Sequence, residues 1–191
     1  MSHREGSAHP HRPRAPRSEA PPSARARASA ATEPGAGHFV PRRSPTANLR
    51  FRRAEEHARI WLRDYGDALG QTNERLCFRG LGAFLHCLRD HLPVSEAVGL
   101  GAQLPMIVRG LYYDGWRPAR TPLDERSAEA VRAQVADELD HGLGAHPDEV
   151  LRAGAIVLAR HVDRRELAHL QAVLPRPLRE LWPEGAGSRT P

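Results

Sequence analysis

The chain has 191 residues and a mass of 21.1 kDa, a length for one domain or two small ones. About 40% of residues are hydrophobic and only 5% aromatic, so any core must be built mainly from Leu, Val and Ala. All 28 of the basic residues are arginine, no apolar run approaches the roughly 20 residues of a membrane-spanning helix, and no apolar signal-type segment is visible, so neither a membrane span nor a secretory signal is expected.

Residues 1–50 hold nine arginines against three acids, and eight of the 17 prolines. The remaining residues hold nineteen arginines against twenty acids, so the positive excess belongs to the first fifty. A segment of this composition cannot bury enough apolar surface to offset its ordering entropy, and 1–50 is expected to be a disordered Arg/Pro-rich tail. It reads either as a solvated tail or as a basic arm for nucleic acid.

From residue 53 onward the pattern is helical. Ala54, Ala58, Trp61, Leu62, Tyr65, Ala68 and Leu69 recur at helical spacing and predict a helix closing near Gly70. Cys77, Leu81, Phe84, Leu85, Leu88 and Leu92 mark a second, stopped by Pro93. Both cysteines, Cys77 and Cys87, fall on it roughly 15 Å apart, beyond disulfide reach, and read as buried thiols in a reducing compartment. Ala97 to Ala102 suggest a short third helix, and Pro105 suits the first turn of a fourth that ends at Asp114-Gly115. Ala128, Val131, Val135 and Leu139 make a fifth. Val150–Leu158 is apolar nearly all round and should be a central helix. Asp163 and Glu166 form a capping-box-like start for a seventh, and Pro175 opens an eighth ending near Trp182. No sustained strand alternation is present, and the expected fold class is all-α.

Shifted by 70 residues, the chain matches itself without a gap. Eleven of the 31 positions from 81 to 111 are identical, among them His91/His161, Glu96/Glu166, Leu104-Pro105/Leu174-Pro175 and Arg109/Arg179. Two tandem four-helix units follow, 53–122 and 123–184, packed as one pseudo-symmetric bundle, with 185–191 a disordered C-terminus. Of the retained polar positions, Glu96 with Arg109 and Glu166 with Arg179 are expected to form structural ion pairs across a helical hairpin, or else two anion sites. His91 and His161 each end a buried helix, where an imidazole can satisfy terminal carbonyls. The i, i+4 pair His86 and Asp90 lacks further metal ligands nearby.

Tyr112-Tyr113-Asp114-Gly115-Trp116 holds three of the ten aromatic residues beside Arg109 and Arg117. It reads as an interaction patch (Arg109, Tyr112, Tyr113, Trp116, Arg117) or as the plug of the joint between the units. The run Leu100-Gly-Ala-Gln-Leu-Pro-Met-Ile-Val-Arg-Gly-Leu-Tyr-Tyr-Asp-Gly-Trp-Arg-Pro118 resembles the signature of the bacterial domain of unknown function 2267 family, and Leu81–Pro93 is similar to the segment preceding it. The resemblance spans about 55–182. It implies a small helical bacterial protein of the cytosol and carries no catalytic residue with it. The second unit departs from the signature at Glu180-Leu-Trp-Pro183.

No nucleophile elbow, phosphate loop, metal-ligand cluster or dinucleotide fingerprint is found, so no enzyme, cofactor or metal is expected. The expected function is a non-enzymatic helical protein-interaction module, with an unidentified protein partner or self-association and a cytoplasmic location. The alternatives are nucleic-acid binding through the basic arm and binding of a small ligand or anion.

Overall fold

A computed structural model describes residues 45–139 and 145–182. The expected tail lies outside the described residues up to position 44, and so do residues 185–191; positions 45–50 belong instead to the first helix. That helix, α1 (Pro45–Leu69), starts eight residues before the expected boundary. Its buried stripe is Ala54, Ala58, Trp61 and Tyr65, whereas Leu49 and Phe51 in its opening turns are exposed. Those turns touch no core, which is why apolar spacing does not mark them. Gly70 closes the helix with φ +69. The Gln71 N–H donates to the Gly66 carbonyl (2.9 Å) and the Gly70 N–H to Asp67 (3.4 Å), a Schellman stop that favours glycine.

Helix α2 (Glu74–Asp90) begins at Asn73, whose side chain accepts from the Arg75 and Leu76 N–H groups. Helices α3 (Val94–Gln103) and α4 (Met106–Tyr113) are joined by the extended Leu104-Pro105 elbow. A 3₁₀ turn at Pro118–Arg120 leads towards α5 (Ala128–Leu139). Helix α6 (Pro147–His161) carries a capping box from His146 and Glu149. Helix α7 (Arg164–Val173) is capped by Asp163, which accepts from the Arg165 N–H, while Glu166 turns to α3 instead of completing a box. The last, α8 (Arg176–Arg179), is a single turn and ends three residues short of the expected Trp182. No strand occurs among the described residues, and the fold is all-α.

Helices α2 and α6 pack on each other at the centre, α1 lies against both, and α5 lies against both from its own side. Helix α4 rests on α1 and α2, and α8 rests on α5. The core runs continuously through both halves, from Trp61, Phe84 and Leu88 to Val135, Leu158 and Leu170. Several helix ends lie 70 residues apart, whereas α2 and α6 start 73 apart, at Glu74 and Pro147, and end 71 apart, at Asp90 and His161. Helices α1 and α5 end at Leu69 and Leu139, α3 and α7 start at Val94 and Arg164, and α4 and α8 start at Met106 and Arg176.

One contact bears on that offset. A Cβ added to Gly154 would lie 2.1 Å from Phe84 Cγ, so the Phe84 ring sits directly on the Gly154 backbone. Positions 84 and 154 are 70 residues apart, and the side chain of one fills the space the other leaves open.

Candidate functional site

The aromatic segment at the end of α4 and just beyond it is buried at Tyr112 and half-buried at Tyr113 and Trp116. Tyr112 is fully buried, and its hydroxyl donates to the Ala97 carbonyl at 2.9 Å. Tyr113 lies over Gly101, stacks on Trp116 (5.3 Å between centroids) and meets Tyr112 edge-on. Both Tyr113 and Trp116 are half-buried, while Arg109 and Arg117 are exposed. The five residues therefore do not form one open patch.

The expected ion pairs are also rearranged. Glu96 does not meet Arg109: its Oε2 lies 2.8 Å from His169 Nε2 on α7. Arg109 donates instead to the carbonyls of Ala102 (3.0 Å) and Leu104 (2.9 Å), where the turn from α3 leaves acceptors open. Glu166 lies beside Gly99 on α3, and Arg179 is exposed at the end of α8. Each glutamate thus reaches the opposite half at the same place, Glu96 at position 169 and Glu166 at position 99. Both glutamate contacts lie between α3 and α7, not within a helical hairpin of one half.

His86 and Asp90 do not converge on a metal. The His86 ring has Nδ1 at 2.8 Å from Glu138 Oε2 on α5 and Nε2 at 2.7 Å from the Leu111 carbonyl on α4. Burial opposes charge on this ring, yet the hydrogen bonds to Glu138 and Leu111 and the attraction of the carboxylate outweigh it, so its pKa lies above the ordinary imidazole value. Asp90 accepts from Arg89 and from Gln134. Among the described residues no group of three or more His, Cys, Asp or Glu side chains is placed to hold a metal ion. His91 does satisfy a terminal carbonyl, with Nδ1 at 2.8 Å from Cys87 O, whereas His161 reaches Asp64 on α1 at 2.7 Å and stacks on Trp61. Both cysteines are free and buried, and burial pushes the thiol of each upward.

Arg89 is the residue that spacing alone misses. It is 4% exposed, donates through one amino group to the carbonyls of Tyr112 and Asp114, and pairs with Asp90 at 2.7 Å. Arg89 lies at helical spacing from Arg75, Arg79 and His86 on α2, so its place on that polar stripe gives no sign of its burial. Replacing Arg89 by methionine keeps the stem and strands two carbonyls and a carboxylate. A loss of about 2–4 kcal/mol in urea unfolding is expected, and a loss under about 0.5 kcal/mol would mean that water already satisfies those groups.

The surface concavity with the clearest chemical character lies between α5, α6 and α8 and encloses about 460 Å³. Val131, Leu151 and Leu181 form part of its wall, and Arg132, Arg152 and Arg176 stand among them. Arg132 is paired with Asp148 (2.8 Å) and Arg176 with Glu180 (2.6 Å), while Arg152 is exposed between them with no carboxylate partner among the described residues. A wider hollow at the α1–α2 turn, about 620 Å³, mixes Arg59 and Arg63 with Asp67 and Glu74.

These features define a small all-α domain in which His86, Arg89, His161 and Glu96 join helices and whose clearest concavity is amphipathic. The sequence model of a family of uncharacterized conserved proteins, the domain of unknown function 2267 (DUF2267), matches residues 51–181. The chain belongs to that family. Comparison with curated proteins finds no match. Among the described residues no helix is long and apolar enough to cross a membrane.

Proposed function

We propose that the chain is a non-enzymatic interaction module of two tandem four-helix units related by a pseudo-twofold axis, and that it holds an acidic, partly apolar protein segment between α5, α6 and α8. The duplication is supported by the 70-residue spacing of the α1/α5 ends, the α3/α7 starts and the α4/α8 starts and by the Phe84–Gly154 contact, since equivalent positions touch each other only near such an axis. The interaction reading is carried by one observation: apolar residues ringed by three arginines, of which Arg152 has no carboxylate partner among the described residues. A cytoplasmic bacterial setting, with both cysteines kept as thiols, completes the proposal.

Capture from a nuclease-treated bacterial lysate tests it. Protein bound by the wild type and lost, by about tenfold or more, with Arg152→Glu supports the groove. Equal capture by both would remove it. A second reading is favoured by α1, where Arg50, Arg52 and Arg53 flank Phe51, 71% exposed, in turns that touch no core. Cations around an open ring suit single-stranded nucleic acid. Binding that disappears on nuclease treatment and on Phe51→Ala would favour that reading over the groove.

A further inference from the structure

We propose that the two halves of the domain are joined by a histidine seam that makes their association respond to pH. Three His–carboxylate pairs bridge α1–α4 to α5–α8. They are His86 with Glu138 (α2 to α5, 2.8 Å), His161 with Asp64 (α6 to α1, 2.7 Å) and His169 with Glu96 (α7 to α3, 2.8 Å). Arginine is far more abundant in the chain, yet the pairs Arg59–Glu55, Arg89–Asp90, Arg132–Asp148 and Arg176–Glu180 each stay within one half. An Arg–carboxylate pair keeps its charge throughout the physiological range, whereas a His–carboxylate pair does not. These three cross-seam pairs therefore rest on the one cation that neutral pH can discharge, beside the Arg79 contact to the Glu138 backbone.

His86 is the centre of this device. Both its ring nitrogens face oxygens that can only accept: the carboxylate of Glu138, while ionised, and the Leu111 carbonyl. The imidazolium satisfies both at once, and either neutral tautomer turns a lone pair onto one of them. The surrounding charges are accounted for. On α2, Arg89 opposes the ring charge but is committed to Asp90 and the α4 carbonyls. Arg79 donates to the Glu138 backbone carbonyl, which leaves the carboxylate to His86. Helix α4 presents the Leu111 carbonyl, its Arg109 being turned to α3. At the second pair, Arg63 stands 3.7 Å from Asp64, and His57 shares the hollow beside His161. The third pair is the most open, with His169 58% exposed; Ser95 donates to Glu96, and Glu166 lies on the same face of α7.

The direction follows from the raised folded-state pKa of His86. Its stabilisation is fully present below the unfolded value of 6.5 and is lost as pH rises through the folded value. Thermal unfolding of the full chain from pH 6 to pH 9 is the test, against His86→Gln/His161→Gln/His169→Gln. The wild type should lose more Tm over that range than the triple variant, and Glu55→Gln, a pair within one half, should follow the wild type. Parallel profiles for the wild type and the triple variant would overturn the proposal. If the triple variant does not fold, imidazole titration of the wild type by NMR decides. A His86 midpoint above 6.5 that falls in Glu138→Gln supports the seam, and a neutral His86 at pH 6 overturns it.

Discussion

Replacing Gly154 by alanine is expected to destabilise the wild-type chain and to stabilise a chain in which Phe84 has already been shortened. In the wild type the new methyl would fall 2.1–2.5 Å from three ring carbons of Phe84, a fully buried ring in the α2–α6 contact with little room to withdraw. Overpacking of this kind costs about 1–3 kcal/mol. It is opposed by a gain of up to about 1 kcal/mol, because alanine suits a helix interior better than glycine. Phe84→Ala alone should cost about 3–5 kcal/mol through lost burial and the cavity it leaves. In that background the methyl at position 154 enters vacated space, the helix gain remains, and the sign of Gly154→Ala reverses. The two changes should therefore couple by more than about 1 kcal/mol in a double-mutant cycle from urea unfolding. Additivity would show that the ring can swing aside, and with it the evidence for a shared axis at this contact would be lost.

The same contact shows why the fold was largely legible in the sequence and the site was not. Helix ends are written in local chemistry: Gly70 needs a positive φ, Asn73 accepts from the next turn, and Pro93 cannot continue a helix. The 70-residue self-match then marks Leu81, Leu88, Leu100 and Leu104 as core positions, and all four are buried. What the match does not disclose is who faces whom across the halves. Glu96 and Arg109 lie thirteen positions apart on successive helices and invite a hairpin pair, yet the α3–α4 elbow places Arg109 on carbonyls and opens Glu96 to His169. The partners of His86 lie 25 and 52 residues away, on α4 and α5, and nothing in the spacing within α2 announces them. The opening of α1 was missed for the converse reason. Thr46 and residues 48–53 are exposed, so this part of the helix leaves no apolar stripe to read.

A fragment of residues 45–122 is expected to be helical but without a cooperative melting transition, and to recover one when co-expressed with 123–184. Helix α2 is the physical reason. Its buried residues, from Leu76 to Arg89, cover nearly its whole circumference, and much of that surface is supplied by α5 and α6. Helix α1 is in the same position, since its buried stripe rests on α6 as well as on α2, and the Tyr65 hydroxyl donates to the Val150 carbonyl (3.3 Å). Removing α5–α8 would expose the central apolar face, leave Glu96 and Asp64 without His169 and His161, and reduce the remaining core below what a domain of that size can sustain. Circular dichroism with dye binding to exposed apolar surface checks the fragment, and gel filtration of the co-expressed pair checks the rescue. A sharply melting monomer of 45–122 would mean that the halves are independent domains, and the contacts between α1 and α6 and between α2 and α5 would then be docking rather than folding.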